Sequence, residues 1–120
     1  MLTLIFRPSY GESQVLVRGT YFRICADATL RGPDNTIAAS YVKGLWQLAH
    51  REHRSFECSG PVYLRLTNSD GRRERIGPYT FVKAADGAIF TPDGRLGNYS
   101  DRSDADVSMH RWLEIVLLEA

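Results

Sequence analysis

The sequence predicts an all-β or nearly all-β fold, either an antiparallel β-sandwich or a small barrel built of hairpins. Short runs rich in Val, Ile, Thr and aromatic residues, which favour strands, alternate with turn sequences along the chain. Asp-Gly pairs, a strong signal for tight hairpin turns, stand at 70–71, 86–87 and 93–94 and predict an antiparallel meander. The chain has 120 residues, 43% hydrophobic and 24% charged, as expected of one globular domain covering residues 1–120.

The N-terminal part predicts two strand regions, at 2–7 and 13–26, separated by a turn sequence rich in Pro, Ser and Gly. The end of the second region alternates between an apolar face and a mixed face. The apolar face is expected to point to the core and consists of Phe22, Ile24 and Ala26. The opposite face carries Tyr21, Arg23 and Cys25.

Residues 36–51 allow two interpretations. Their polar residues recur at helical spacing, and Asp34 or Asn35 could cap a helix there. However, Gly44 lies in the middle, and the segment is rich in β-branched and aromatic residues, which are modest helix formers. We favour a hairpin that turns at Lys43-Gly44 over one helix at 36–51.

Two further predictions concern the position of strands. Gly-Pro pairs at 60–61 and 77–78 each precede a β-rich run, and because proline lacks an amide donor, each pair is expected to open a strand. The run at 112–117 is strongly apolar, which predicts a central strand beside the equally apolar first strand. A terminal helix is the alternative, because Leu and Glu are helix formers.

Charge and cysteine content limit the partners. A net charge of +1 argues against whole-molecule attraction to nucleic acid or to a membrane. No basic and apolar leader precedes the first strand, and no run approaches the ~18–20 apolar residues of a membrane helix. We therefore expect a cytoplasmic protein in which Cys25 and Cys58 are free buried thiols. No phosphate-binding glycine motif occurs, so no cofactor is predicted.

The stretch from Leu48 to Cys58 contains zinc-ligating residue types. His50, His53 and Cys58 could bind zinc if His110 or Cys25 completed a tetrahedral set. Their spacings match neither a Cys-x-x-Cys knuckle nor a His-Glu-x-x-His helix. We expect a charged hairpin tip with a buried cysteine instead, and no metal site is predicted.

Other candidate sites lack their signatures. Asp101, Asp104 and Asp106 do not follow the order of an EF-hand loop and predict a solvated loop. No serine lies in a nucleophile elbow, and no catalytic signature surrounds either cysteine, so no catalytic residue is predicted.

Arginine dominates the positive charge, with 13 arginines against 2 lysines. Guanidinium groups bind carboxylates and phosphates through paired hydrogen bonds and stack on aromatic rings. If two hairpin tips lie side by side, they form an anion site consisting of Arg51, Arg54, Arg65, Arg72, Arg73 and Arg75. Tyr63, Tyr79 and Phe81 could stack on a single-stranded nucleic acid. The interleaved Glu52 and Glu74 favour solvated tips instead.

The leading functional hypothesis is a non-catalytic binding or interaction domain for a protein or a small molecule. The second hypothesis is a small enzyme or ligand-binding barrel, with a polar pocket of Tyr21, Arg23 and His50 near Cys58. The third is anion or nucleic-acid binding through the arginine-rich tips. Exposed strand edges also allow a homodimer.

Overall fold

The computed structural model describes residues 1–100 and 111–120, and every regular element in these ranges is a strand, as predicted. In chain order the strands are β1 (Leu2–Pro8), β2 (Val15–Gly19), β3 (Tyr21–Cys25), β4 (Thr29–Arg31), β5 (Ile37–Val42), β6 (Leu45–Leu48), β7 (Arg51–Asn68), β8 (Arg73–Ala85), β9 (Ala88–Thr91), β10 (Gly94–Asn98) and β11 (Trp112–Glu119).

Six of these strands close an antiparallel barrel, so the barrel alternative is the correct one. The ring runs β7, β11, β3, β4, β5, β6 and back to β7. It closes because β7 has 18 residues and pairs with β6 at its start and with β11 at its end. The β1–β2 hairpin and the β8–β10 meander lie outside the ring on opposite edges of β7, where Phe56 pairs with Phe6 on one side and Ala84 on the other.

The core is continuous and largely aromatic at one end. Trp46 is fully buried, and its ring centroid lies 5.2 Å from that of Phe56 and 5.3 Å from that of Tyr99. Tyr99 follows β10, and its backbone amide donates a 2.9 Å hydrogen bond to the Gly87 carbonyl, which holds the chain against the β8–β9 turn. The interior of the ring is therefore filled by side chains rather than open to solvent.

The alternation predicted for β3 is confirmed inside the strand. Phe22 and Ile24 are each 1% exposed, whereas Ala26 lies after the end of β3 and is exposed. Tyr21, Arg23 and Cys25 are half-buried on the opposite face. The two cysteines are free, as predicted, but only Cys58 is buried.

The hairpin interpretation of residues 36–51 is confirmed, and the helix alternative is wrong. Residues 37–42 and 45–48 form β5 and β6, which pair through Tyr41 and Trp46. Lys43 and Gly44 have φ values of 52° and 83°, the left-handed conformation that both central residues of a type I′ turn require.

The three Asp-Gly hairpins exist, but only one has the expected turn. Asp86 and Gly87 both have positive φ, as in a type I′ turn. At 70–71 only Gly71 has a positive φ. Its amide donates a hydrogen bond to the Asn68 carbonyl, so this hairpin has a three-residue loop with a bulge. Gly94 pairs with Thr91, so Pro92 and Asp93 form that turn. Strands β7 to β10 are consecutive neighbours, which confirms the meander.

The two Gly-Pro pairs do not open strands; Gly60-Pro61 lies inside β7 and Gly77-Pro78 inside β8, at two neighbouring register shifts on either side of the Val62–Tyr79 pair. Both peptide bonds are cis. Ser59 pairs with Phe81 and Val62 with Tyr79, so the ladder shifts register at this point. A bulge tolerates proline because no ladder hydrogen bond is required of it there. A Cβ at Gly60 would collide with the Tyr79 carbonyl oxygen, so only glycine fits at that position.

The last strand is central, as predicted, but it does not lie beside the first. β11 pairs with β3 and with residues 62–68 of β7, whereas β1 pairs with residues 53–58 of β7. Because β7 is so long, β1 and β11 occupy successive stretches of the same edge. The alternative of a terminal helix is also wrong.

Candidate anion-binding face

Four arginines from four strands lie in one row across the outside of the barrel. Arg31 lies opposite Arg23, Arg23 and Arg65 both lie opposite Val116, and Arg65 lies opposite Arg75. Residues directly opposite one another on neighbouring strands project from the same face of the sheet. With strands about 4.8 Å apart, the row spans about 19 Å. We call Arg31, Arg23, Arg65 and Arg75 the arginine row.

One end of the arginine row is neutralised by acidic neighbours. Arg23 Nη1 lies 3.4 Å from Glu114 Oε2, and Arg31 Nη2 lies 3.3 Å from Asp27 Oδ2. Hydrogen bonds from Thr29 lower the pKa of the Asp27 carboxyl, and Arg31 lowers it further. These two arginines are therefore held by local ion pairs.

The other end of the row carries unbalanced positive charge. Arg65 and Arg75 lie directly opposite each other, and neither forms an ion pair with any residue that the structure describes. Arg65 is half-buried, and its Nε is buried without a hydrogen-bond partner in the described part of the chain. Like charges directly opposite destabilise a sheet, and an unsatisfied buried donor costs about 1–3 kcal/mol. An anion bound between the two guanidinium groups would relieve both costs.

A second row, parallel to the first, carries aromatic residues. Tyr21 and Tyr63 both lie opposite Leu118, two residues along each strand from Arg23, Arg65 and Val116. The Tyr21 hydroxyl donates a 3.1 Å hydrogen bond to the Pro33 carbonyl, which fixes its ring. We call Tyr21, Leu118 and Tyr63 the aromatic row. The two rows are joined where Arg75 Cζ lies 4.1 Å from the centroid of the Tyr63 ring, in a cation–π contact.

The six arginines predicted as one anion site are separated by the structure. Arg65, Arg73 and Arg75 belong to the β7–β8 hairpin, and Arg72 is exposed in its turn. Arg51 and Arg54 lie at the opposite end of β7, where Arg51 donates to Ser13 Oγ. The two tips cannot lie side by side because they are the two ends of one strand.

Arg23 and Arg31 were not predicted as members of an anion site. The alternation in β3 already placed Arg23 on the face away from the core. The register that aligns it with Arg65 through Val116 involves strands far apart in sequence and left no local signal.

The structure does not bring the three residues of the predicted polar pocket together: Tyr21 and Arg23 share one face of β3, whereas His50 lies in the β6–β7 turn. Tyr21 and Arg23 lie on the outer face of the barrel, where Arg23 Nη2 donates a 2.6 Å hydrogen bond to Asn35 Oδ1. His50 is exposed in the β6–β7 turn, with a φ of 63°, and lines a polar cleft of about 290 Å³ together with Arg51 and Glu52.

The zinc-ligating residue types do not converge either. Within residues 1–100 and 111–120 no three His, Cys, Asp or Glu side chains form a metal-binding group. His50 is exposed, whereas His53 is buried against the Phe6 ring at 5.7 Å between centroids. Burial raises the pKa of the Cys58 thiol to about 11. His110, Asp101, Asp104 and Asp106 lie outside the described residues.

A separate cleft of about 560 Å³ lies at one end of the barrel, next to Tyr99. Tyr41 and Tyr99 contribute to its wall, and Asp27 and Lys43 add charge of both signs. Burial raises the pKa of the Tyr99 hydroxyl, so this phenol stays protonated at neutral pH. None of the residues proposed for a polar pocket lines this cleft.

Comparison with known proteins assigns no relative: no family model, no curated protein and no solved structure matches the chain. No helix in the described part of the chain is long and apolar enough to span a membrane. The functional assignment therefore rests on the chemistry of the residues described above.

Proposed function

We propose that this protein is a non-catalytic binding domain that binds an anionic ligand through the arginine row. The observation that carries the proposal is the Arg65–Arg75 pair, two like charges placed directly opposite each other without an acidic partner among the described residues. Two guanidinium groups in this arrangement offer parallel N–H donors to one phosphate or carboxylate group.

The surroundings of the pair support binding rather than simple solvation. Arg65 is half-buried and Arg75 is held over the Tyr63 ring, so less side-chain entropy is lost when an anion binds than with free surface arginines. Arg73 lies two residues from Arg75 along β8 and adds a further positive charge next to the pair.

The experiment is a titration of the protein with a short inorganic polyphosphate at low salt, followed by isothermal calorimetry. We expect the double variant R65A/R75A to bind about tenfold more weakly or worse, since it removes two charge-assisted hydrogen-bonding groups. The matched control is R7A/K83A, which removes two cations that already lie next to Glu57. Its affinity should stay within about twofold of wild type.

Salt dependence provides a second readout on the same samples. Removing one arginine that binds a phosphate should lower the slope of log K against log salt by about 0.7–0.9, so R65A/R75A should have a clearly shallower slope. The proposal is overturned if wild type does not bind polyphosphate, or if both double variants lose affinity equally.

A further inference from the structure

The two parallel rows on this face indicate what kind of anion fits. We infer, on the basis of the proposed function, that the ligand is a single-stranded nucleic acid whose phosphates contact the arginine row and whose bases stack along the aromatic row. The rows are two residues apart along each strand, which is about 6.7 Å. One face therefore offers a line of guanidinium groups, with unbalanced positive charge at its Arg65–Arg75 end, and a line of aromatic surface beside it.

The Tyr63–Arg75 contact is the strongest feature of this arrangement. Unpaired bases stack on tyrosine rings and on the flat faces of guanidinium groups. Arg75 lies over Tyr63 at 4.1 Å and faces Arg65 across the strands, so a base on this stack would have its phosphate next to the arginine pair. A duplex would hide the faces of its bases inside the stack and could not use this feature.

A small apolar recess lies next to Tyr63. It has a volume of about 220 Å³ and is lined by Gly60, Pro61, Pro78, Tyr79 and Thr80. Pro61 is two residues from Tyr63 along β7, and Gly77, beside Pro78, leaves space for the Tyr63 ring because a Cβ there would lie 3.2 Å from Tyr63 Cδ1. The recess would accommodate a second unstacked base or its apolar edge.

The length of the row sets the size of the ligand. A row of about 19 Å contacts only a few nucleotides of an extended strand, near the low end of the roughly 4–16 nucleotides bound by small single-strand-binding barrels. An acidic peptide would use the arginine row as well, but it would have no use for the aromatic row.

The test compares three labelled probes of equal length by fluorescence anisotropy: oligo-dT, the same backbone with abasic sites, and a duplex. Oligo-dT and the abasic strand carry the same phosphates, so their difference isolates stacking. We expect oligo-dT to bind at least about tenfold more tightly than the abasic strand and more tightly than the duplex.

Single-residue variants test which side chains cause the difference in affinity between oligo-dT and the abasic strand. Tyr63→Ala should reduce oligo-dT affinity about tenfold and abasic-strand affinity by a smaller factor, because it removes a stacking face for the bases as well as the ring that holds Arg75. Tyr63→Phe should retain binding, and Tyr10→Ala, which removes an exposed tyrosine outside this face, should have no effect. R65A/R75A should weaken binding of both strands.

The outcomes separate this inference from the function on which it rests. If oligo-dT and the abasic strand bind equally well and R65A/R75A weakens both, the face binds anions but the nucleic-acid inference is wrong. A preference for the duplex would also overturn the inference. If no probe and no polyphosphate binds, both proposals are wrong.

Discussion

The two halves of β7 contribute equally to the core but differ in the charges that they carry on the opposite face. Phe56 in the first half and Leu64 in the second are both fully buried. In the first half Glu57 lies opposite Lys83 and 3.4 Å from Arg7, an arrangement of complementary charges. In the second half Arg65 lies opposite Arg75. One strand thus has one stretch whose surface charges stabilise the sheet and one whose charges oppose it.

The difference in surface charge between the two halves has a small energetic size. A charge pair of opposite sign contributes about 0.2–1 kcal/mol across two strands, and a pair of like sign costs a similar amount. The proposed anionic ligand would supply the negative charge that this unfavourable pair lacks.

The largest expected effects on stability come from removing a buried side chain from each half of β7. Phe56→Ala should lower the free energy of unfolding by about 3–5 kcal/mol and Leu64→Ala by about 2–5 kcal/mol, because each removes a fully buried side chain. Urea denaturation measures both. A loss below about 1 kcal/mol for either variant would show that its half of β7 does not belong to the cooperative core.

An intermediate effect concerns the cysteine in the first half. Burial raises the pKa of Cys58 from 9.0 to about 11, which leaves roughly a hundredfold less thiolate at pH 8. Cys58, which is also fully buried, should therefore react with iodoacetamide much more slowly than the half-buried Cys25, as followed by mass spectrometry of the folded protein. Equal rates would contradict the buried position of this half.

The same thiol gives a pH dependence of stability. Its pKa is higher in the folded chain than in the unfolded chain, so its stabilising contribution is complete below pH 9 and is lost as pH rises towards 11. In Cys58→Val the free energy of unfolding should fall less between pH 9 and pH 11 than in wild type. Urea denaturation of both proteins at a series of pH values measures the difference.

The smallest effect separates stability from binding in the second half. Arg65→Met keeps an apolar stem but removes the like-charge pair, so from that pair alone it should raise the free energy of unfolding by about 0.2–1 kcal/mol while polyphosphate affinity falls, and loss of the unpartnered buried Nε acts in the same direction. Lys83→Met, which removes a favourable pair, should not stabilise the protein. A destabilisation of more than about 1 kcal/mol by Arg65→Met would refute the view that this charge pair is a cost.

The parts of the fold that could be predicted are those set by local chemistry. Lys43-Gly44 and Asp86-Gly87 could be predicted as tight turns because glycine takes the left-handed conformation without steric cost and each pair separates two β-rich runs. The Gly-Pro pairs misled the prediction because proline usually begins a strand, whereas here each pair lies at a register shift inside a strand, one on each side of the Val62–Tyr79 pair.

The candidate site could be predicted only in part. Arg65, Arg73 and Arg75 were recognisable as one cluster because a single hairpin holds them. Arg23 aligns with Arg65 because both lie opposite Val116. This alignment depends on the position of β11 between β3 and β7, which the sequence did not reveal. The separation of Arg51 and Arg54 from the cluster follows from the length of β7, which the internal Gly-Pro concealed.

The insertion of β11 between β3 and β7 has a consequence for the synthesis of this protein on the ribosome. The edges of β3 and β7 that β11 joins are complete long before residues 112–119 leave the exit tunnel. Until then the ring stays open and the apolar inner residues of both strands face water beside unpaired backbone groups, the arrangement that favours aggregation. We therefore expect the barrel to close as a late step that depends on contacts between distant parts of the chain.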